Sequence, residues 1–297
     1  MLGGELALPD RIMIVDDEMQ MVEAAKMVLE GEGYEVISAS NGDETLQKVD
    51  GEMPDLILLD MMMPGKSGLE VCKILKENAK TRHIPVVMFT ALGRDVDRKL
   101  GVEAGADGYF TKPFAPEVLI AEVKKHLNQA RAEKFSKQLG TEHDKLRGKK
   151  LLFEFDPSAP YERFVRDYVL ECAHHGEVVV VFTKKGNAVR TTVEGEKGVE
   201  FFDVTPGSIL SPILEKHREE SLSLVYDSLT DLALSTDMKT AYAFARNAIE
   251  LISKPTATAI FLLNPSAHDP KDTASLRGLL SSQVTYGKQG ITNVRLV

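Results

Sequence analysis

The sequence has few cysteines, no long apolar run and no excess of positive charge, and each absence excludes a class of protein. Its two cysteines, Cys72 and Cys172, fall in different halves of the 297 residues, so we expect neither a disulfide framework nor a thiolate metal site. No apolar run approaches the roughly 20 residues that a membrane-spanning helix needs. Residues 1–11 lack the basic and then apolar pattern of a signal peptide. We therefore expect a cytoplasmic protein without a membrane partner.

The charge is distributed unevenly along the chain. Lysines and arginines number 36 against 45 aspartates and glutamates, which gives a formal net charge of −9. Residues 1–128 carry this whole excess, whereas residues 129–297 hold as many basic as acidic side chains. An acidic first part repels polyanions, and a neutral second part offers little to attract them. We therefore do not expect nucleic acid as a partner.

Short apolar runs alternate with helical patterns through the first part of the chain. This alternation is typical of an α/β domain with a parallel, doubly wound sheet. Five strand and helix pairs complete one small domain, which we place at residues 1–128. The predicted strands are 11–15, 35–39, 55–59, 85–89 and 109–111, and the predicted helices lie near 18–31, 42–50, 67–78, 94–104 and from 116 onward.

Five polar side chains stand where these predicted strands end: Asp16, Asp17, Asp60, Thr90 and Lys112. Because the carboxyl ends of parallel strands meet at one edge of a sheet, where ligands bind in open α/β folds, we expect them to lie close together. Three crowded carboxylates form a hard-oxygen site that suits Mg²⁺. The pattern predicts a polar functional site with Mg²⁺ as its cofactor.

Residues 10–128 resemble the receiver domain of two-component response regulators, whose five-stranded parallel fold is flavodoxin-like. The resemblance rests on those five side chains in their order, on Pro64-Gly65 and Gly68, and on the segment GADGYFTKPF at 105–114. It implies that the chain receives a phosphoryl group from a cognate histidine kinase or phosphotransfer protein. A sensor kinase is not expected, since we find neither a glycine-rich nucleotide motif nor a phosphoacceptor histidine pattern.

The resemblance assigns a role to each residue of the site. Asp60 would be the phosphoacceptor, and its carboxylate would attack phosphorus to form an acyl phosphate. Direct metal ligation is implied for Asp17, Asp60 and the backbone carbonyl of Met62, with Asp16 acting largely through water. Lys112 would pair with the bound phosphoryl oxygens.

The same resemblance implies a conformational switch and a pair of residues that set the rate of autodephosphorylation. Thr90 and Tyr109 would form the switch pair, the hydroxyl bonding the phosphoryl group while the ring moves from exposed to buried. Met62 and Leu92 would flank the path of the hydrolytic water. Both are apolar and cannot orient water by hydrogen bonding, so we expect slow autodephosphorylation.

Residues 149–297 form a second α/β pattern with an antiparallel edge. Predicted strands are 150–155, 177–183, 199–204, 222–226 and 258–263, predicted helices are 161–174, 209–220, 231–253 and 272–282, and a hairpin is predicted over 283–297. The apolar strand that ends in Asp227-Ser228-Leu229 resembles the Walker B strand of RecA/KaiC-like ATPases. This resemblance is more distant than that of the first domain.

The second domain lacks the phosphate-binding loop that such ATPases carry. Where the family places a glycine-rich loop ending in lysine, residues 156–162 read DPSAPYE, without glycine or lysine and with two prolines that lack NH donors. We therefore expect no ATP hydrolysis, and the sequence leaves open whether this domain binds nucleotide. Asp227 is then more easily explained as a strand-end or helix-capping acid than as a metal ligand.

Residues 129–148 are predicted to be a helical linker, and two interpretations stay open: a solvated connection, or a helix that carries a signal. The function we expect is a phosphorelay response regulator that acts through protein–protein interaction or homodimerisation of a catalytically inactive RecA-like domain. It would not be an enzyme beyond the receiver's own phosphoryl chemistry. The alternatives are a regulated nucleotide-binding ATPase and, less favoured because no basic recognition helix is found, a transcriptional regulator.

Overall fold

The computed structural model describes residues 9–91, 95–204, 210–252 and 257–297. Within these ranges the chain divides into two compact units, residues 9–134 and residues 135–297. Across the same ranges we find no helix with the length and apolar character needed to cross a membrane.

The first unit contains a five-stranded sheet in the order β2-β1-β3-β4-β5 in which all neighbouring strands are parallel. The predicted flavodoxin-like receiver fold is confirmed. Its elements in chain order are β1 (Arg11–Val15), α1 (Met19–Gly31), β2 (Glu35–Ala39), α2 (Gly42–Glu52), β3 (Leu56–Leu59), α3 (Gly68–Glu77), β4 (Val86–Thr90), α4 (Asp95–Glu103), β5 (Gly108–Thr111) and α5 (Pro116–Arg131).

The central strands are buried on both faces, which is why they read as continuous apolar runs. Successive side chains of a strand point to opposite faces. Met13 and Ile57 therefore pack in one core with residues of α2 and α3. Ile12 and Leu56 pack in the other core with residues of α1 and α5. The strand ends between these two cores fix the positions of the polar residues that follow them.

The second unit contains a seven-stranded sheet in the order β12-β11-β6-β10-β9-β7-β8. The β11–β12 pair is an antiparallel hairpin, and the other pairs are parallel. A second α/β sheet with an antiparallel edge is thus present. The elements from α6 onward are α6 (Lys134–Gln138), α7 (His143–Leu146), β6 (Lys150–Phe155), α8 (Tyr161–His174), β7 (Val178–Phe182), α9 (Ala188–Val193), β8 (Val199–Phe202), α10 (Leu210–Lys216), β9 (Leu222–Tyr226), α11 (Leu229–Ser235), α12 (Met238–Leu251), β10 (Ala257–Leu263), α13 (Pro270–Leu279), β11 (Ser282–Gly287) and β12 (Gly290–Arg295).

The single helix predicted over 231–253 is two helices in the structure. The Ser228 side chain caps α11, and the Asp237 carboxylate accepts a hydrogen bond of 2.6 Å from the Thr240 amide at the start of α12. In a continuous helix the Thr240 amide would donate to a backbone carbonyl. Here it donates to the Asp237 side chain, as the first amides of a new helix do. The short helix α9 was not predicted.

The predicted linker over 129–148 is divided in the structure. Helix α5 ends at Arg131, and the chain from Phe135 belongs to the second unit. The core of that unit contains Phe135, Leu139 and Leu146. The ring centroids of Phe135 and Phe164 are 4.8 Å apart. Residues 135–146 therefore do not fit a solvated linker, because their apolar side chains complete a core.

Candidate functional site

Three carboxylates meet at the carboxyl edge of the first sheet. Strands β1 and β3 are adjacent with Val15 opposite Leu59, so the residues that follow them are neighbours. The Asp60 amide donates a hydrogen bond of 2.9 Å to the Val15 carbonyl. One carboxylate oxygen from each of Asp16, Asp17 and Asp60 lies within 4.8 Å of the other two. The structure thus brings together the three acids that the sequence singled out.

One lysine lies among these acids. The Lys112 side chain is nearly buried, hydrogen-bonds to Asp16 Oδ2, and places Nζ 3.4 Å from Asp60 Oδ2. Its position is fixed by the backbone, since the Lys112 amide donates to the Thr90 carbonyl at the end of the neighbouring strand. The ammonium also lies 5.0 Å from the centroid of the Phe89 ring, within cation–π range.

One carboxylate oxygen of Asp60 has unused hydrogen-bonding capacity. Asp60 Oδ1 is buried and has no hydrogen-bond partner among the described residues. One ammonium facing three carboxylates leaves a deficit of positive charge, and oxygen-only donors suit a hard divalent cation. The donor set therefore fits Mg²⁺.

The loop that follows Asp60 is held by Gly68, the first residue of α3. The Gly68 amide donates a hydrogen bond of 3.0 Å to the Met61 carbonyl. A Cβ built on Gly68 would lie 1.9 Å from the Asp60 carbonyl oxygen, so a side chain has no room there. Ser67 and Glu70 form a capping box that fixes the start of the same helix. The requirement for glycine is steric and local to the backbone of Asp60.

We expect Gly68→Ala to destabilise the first unit by about 1–3 kcal/mol, because the added methyl group must displace backbone at Asp60. Gly51→Ala is the matched control, since Gly51 lies in α2 with nothing within 4 Å of its Cβ position. That change should leave stability equal or slightly higher. The stability of both variants can be measured by hydrogen exchange of peptides from β3 and α3. Equal protection of these peptides in the two variants would contradict the steric argument.

The two residues of the predicted switch pair lie on adjacent strands. Thr90 is buried at the end of β4, and Tyr109 is half-buried on β5, opposite Met88. The Arg98 guanidinium carbon on α4 lies 5.3 Å from the centroid of the Tyr109 ring. Sequence reasoning did not include Arg98, because a cation–π contact between separate elements leaves no local pattern.

The two residues expected to tune hydrolysis differ in what can be described. The Met62 residue is 67% exposed to solvent, whereas its buried neighbours Met61 and Met63 are only 3% and 9% exposed. Its side chain therefore faces solvent, while the residues on either side anchor the loop in the core. Leu92 lies outside the described residues.

The structure changes the interpretation of Asp227 in the second unit. Asp227 is buried, and the Thr183 hydroxyl donates to its Oδ2 atom at 2.9 Å. Burial raises the pKa of Asp227 to about 7. The cap of α11 is Ser228, whose hydroxyl accepts from the Asp231 amide at 3.1 Å. Asp227 is thus a buried strand-end acid, and the helix-capping alternative is wrong.

The raised pKa of Asp227 predicts that the free energy of unfolding of this protein depends on pH. Between about pH 4 and pH 7 the folded state holds a proton on Asp227 that the unfolded state releases, so stability falls as pH rises through this window. Asp227→Asn keeps an acceptor for Thr183 and cannot ionise. We expect the variant to be more stable than the parent at pH 8 and similar at pH 4, as read from urea unfolding midpoints. Parallel pH profiles would contradict it.

A second buried polar cluster, absent from our sequence predictions, lies in the second unit. His143 Nδ1 donates to Glu171 Oε1 at 2.9 Å, and Nε2 donates to Glu177 Oε1 at 3.0 Å. The Ser136 amide donates to Glu171, and the Ser223 hydroxyl donates to Glu177. All three charged side chains are buried. Glu171 and Glu177 lie 28 and 34 residues from His143 in the chain, so no short sequence motif predicts their contact with it.

Comparisons with known proteins concern the first unit. Residues 12–124 match the family described as response regulator receiver domain. The phosphate regulon transcriptional regulatory protein PhoB of Klebsiella pneumoniae is 48% identical over 114 residues, which are 38% of this chain and 50% of that protein. The alkaline phosphatase synthesis transcriptional regulatory protein PhoP of Bacillus subtilis is 45% identical over 120 residues, 40% of this chain and 49% of that protein.

The chain spans about half the length of these curated relatives. A solved structure of a response regulator receiver domain protein (CheY-like) from Methanospirillum hungatei is also similar. It is 31% identical and covers 41% of this chain and 96% of that one, with a TM-score of 0.39.

Proposed function

Residues 12–124 form a receiver domain of a two-component response regulator, and we propose that the chain is a phosphorelay regulator phosphorylated on Asp60. One observation carries this proposal: Asp60 lies within 4.8 Å of two further carboxylates and 3.4 Å from the Lys112 ammonium. This combination of nucleophile, metal-binding oxygens and a cation is what phosphoryl transfer to a carboxylate requires.

Each side chain of the site would have one task. Asp17, Asp60 and the Met62 carbonyl would hold Mg²⁺, which neutralises charge on the incoming phosphoryl group. Asp60 supplies the attacking oxygen. Lys112 lies close enough to Asp60 to pair with a phosphoryl oxygen placed on that carboxylate. Asp16 holds the lysine in place through its hydrogen bond.

The phosphoryl donor is proposed to be a phosphohistidine of a kinase or phosphotransfer protein. Among the described residues of the second unit, those at the expected position of a phosphate loop do not favour a nucleotide as a competing source of phosphate. In the second unit, where a phosphate loop would lie, Asp156 accepts a hydrogen bond of 2.9 Å from the Ser158 amide. The Tyr161 ring stacks on Phe155 with centroids 3.9 Å apart. An acid and packed rings occupy the place of NH donors and a lysine.

The output is proposed to be protein–protein interaction or dimerisation through a RecA/KaiC-like domain without ATPase activity. The strand order β11-β6-β10-β9-β7 and the hairpin at its edge support this resemblance. A nucleotide-dependent enzyme is the alternative from the sequence. Hydrolysis of ATP that is lost in Asp227→Ala would favour that alternative over the proposal.

Transcriptional regulation is a second candidate because PhoB and PhoP carry that description in their names. These relatives lend no support to our expectation that nucleic acid is not a partner. Their similarity extends over 114 and 120 residues of the first unit, so it does not reach the second. Binding to duplex DNA that weakens steeply with salt would favour this candidate.

The test of the proposed function is size-exclusion chromatography with light scattering, run with Mg²⁺ and with or without beryllofluoride. A doubled mass with beryllofluoride assigns the output to dimerisation. An unchanged mass, with altered hydrogen exchange around Thr90 and Tyr109, assigns it to a separate partner. The absence of both responses contradicts the proposal.

We also expect the acyl phosphate to persist, since the thioether of Met62 is a poor hydrogen-bond partner for water. Met62→Asn places an amide at the same position and should accelerate dephosphorylation several-fold. Decay after phosphorylation with acetyl phosphate measures both lifetimes. A parent lifetime no longer than that of the variant would exclude a role for Met62 in slowing hydrolysis.

A further inference from the structure

The sulfur atoms that peroxide can reach in this protein are thioethers. Cys72 and Cys172 are both buried. Burial raises the pKa of the Cys72 thiol to about 11, and it also raises that of Cys172 well above its usual range. Thiols react with peroxide as thiolates, so neither cysteine is a reactive site at neutral pH. Exposed methionines remain as the oxidisable groups.

Met62 is an exposed methionine in the loop that follows Asp60, directly after the buried Met61. It stands two residues after Asp60, and the Met61 carbonyl before it is held by the Gly68 amide. The side chains on both sides are buried in the core, whereas Met62 faces solvent. The backbone at Met62 is therefore fixed near the phosphoacceptor while its side chain is free to react.

We propose that Met62 is an oxidative modification site through which peroxide shortens the lifetime of phosphorylated Asp60. This inference rests on the proposed phosphorylation of Asp60. In the modification the thioether sulfur attacks one peroxide oxygen, the O–O bond breaks and an S–O bond forms. Sulfur loses two electrons, and the other peroxide oxygen leaves with a proton as water or an alcohol.

The consequence follows from the change in polarity. A thioether is a weak hydrogen-bond acceptor, whereas a sulfoxide is polar and carries a strong acceptor oxygen. Met62 lies two residues after Asp60 in the loop that the Gly68 amide holds, so a sulfoxide oxygen on its side chain would be able to orient a water molecule for attack on phosphorus. We expect a decay roughly fivefold faster after oxidation, the rate ratio that corresponds to about one ordinary hydrogen bond.

The experiment uses the full chain treated with hydrogen peroxide, then phosphorylated with acetyl phosphate and Mg²⁺. Peptide mass spectrometry locates added oxygen at Met62, and the decay of the phosphorylated form is followed with and without peroxide. Met62→Leu cannot form a sulfoxide, so its decay ratio should be one. Met62→Gln carries an amide oxygen and should decay faster than the parent before any oxidation.

Met19→Leu is the matched control, because Met19 is 69% exposed at the start of α1. This variant should keep the peroxide response. The inference is overturned if Met62 takes up no oxygen, if it does so without faster decay, or if Met62→Leu still responds. Failure of the unoxidised chain to accept phosphate on Asp60 would instead overturn the proposed function.

Discussion

Replacing Asp60 with asparagine is expected to abolish phosphorylation of the chain by acetyl phosphate. The amide cannot attack phosphorus, and we expect neither Asp16 nor Asp17 to substitute for Asp60. Asp16 is buried and already accepts hydrogen bonds from the Lys112 ammonium and from the Glu18 amide, whereas Asp17 is exposed at the rim. Intact mass spectrometry after incubation with Mg²⁺ should show one phosphoryl group on the parent chain and none on the variant.

Asp43→Asn is the control for the loss of one negative charge. Asp43 lies at the start of α2, is well exposed and forms an ion pair of 3.3 Å with Lys66. Exposed pairs of this kind contribute little, so the variant should be phosphorylated as the parent is. Phosphate uptake by Asp60→Asn at the parental rate would place the acceptor elsewhere and remove the basis of the proposed function.

Replacing His143 with leucine is expected to destabilise the second unit by about 3–5 kcal/mol. The change leaves Glu171 buried without a cation, whereas Glu177 keeps the partly exposed Arg147, whose Nε lies 3.3 Å from Glu177 Oε1. Removing one partner of a buried pair leaves the charge of the other partner without full compensation. The loss should appear as faster hydrogen exchange in peptides from α7 and α8. Lys145→Gln, which changes an exposed lysine of the same short helix, should stay within about 0.5 kcal/mol of the parent.

The same cluster makes the second unit sensitive to alkaline pH. Burial alone would lower the pKa of His143, but hydrogen bonds to Glu171 and Glu177 outweigh it and raise the pKa to about 9. The folded state therefore keeps a proton that the unfolded state loses near pH 6.5. Its stabilising contribution is complete below pH 6.5 and declines as pH rises to about 9. His143→Leu should lack this decline, and an identical slope in both proteins would contradict the protonated cluster.

The first unit could be predicted from its sequence because its signals are local. Strands buried on both faces give unbroken apolar runs, and a parallel sheet brings the residues after those runs to one edge. Asp16, Asp60 and Lys112 are distant in the chain, yet their placement follows from these two facts. The precise fit of Gly68 against Asp60 did not follow, since it depends on how closely two backbones approach.

Predictions for the second unit were less complete for a physical reason. Residues 117–138 contain no glycine or proline and many strong helix formers, so the sequence favoured a continuation of α5 to about Gln138. Tertiary packing decided otherwise, because Phe135 and Leu146 gain more from burial in the second core than from continuing α5 into solvent. The network around His143 depends on the same packing, since its carboxylates come from α8 and from the turn before β7.

The amino-acid sequence alone was sufficient to predict the receiver fold, the acidic site and the candidate phosphoacceptor, because each depends on residues at strand ends whose spatial order follows from the topology. The start of the second unit, the side chain that caps α11 and the charge states of Asp227 and His143 became evident only in the folded structure. Those properties depend on burial and on contacts between residues far apart in the chain. Local patterns carry the first kind of information, and packing creates the second.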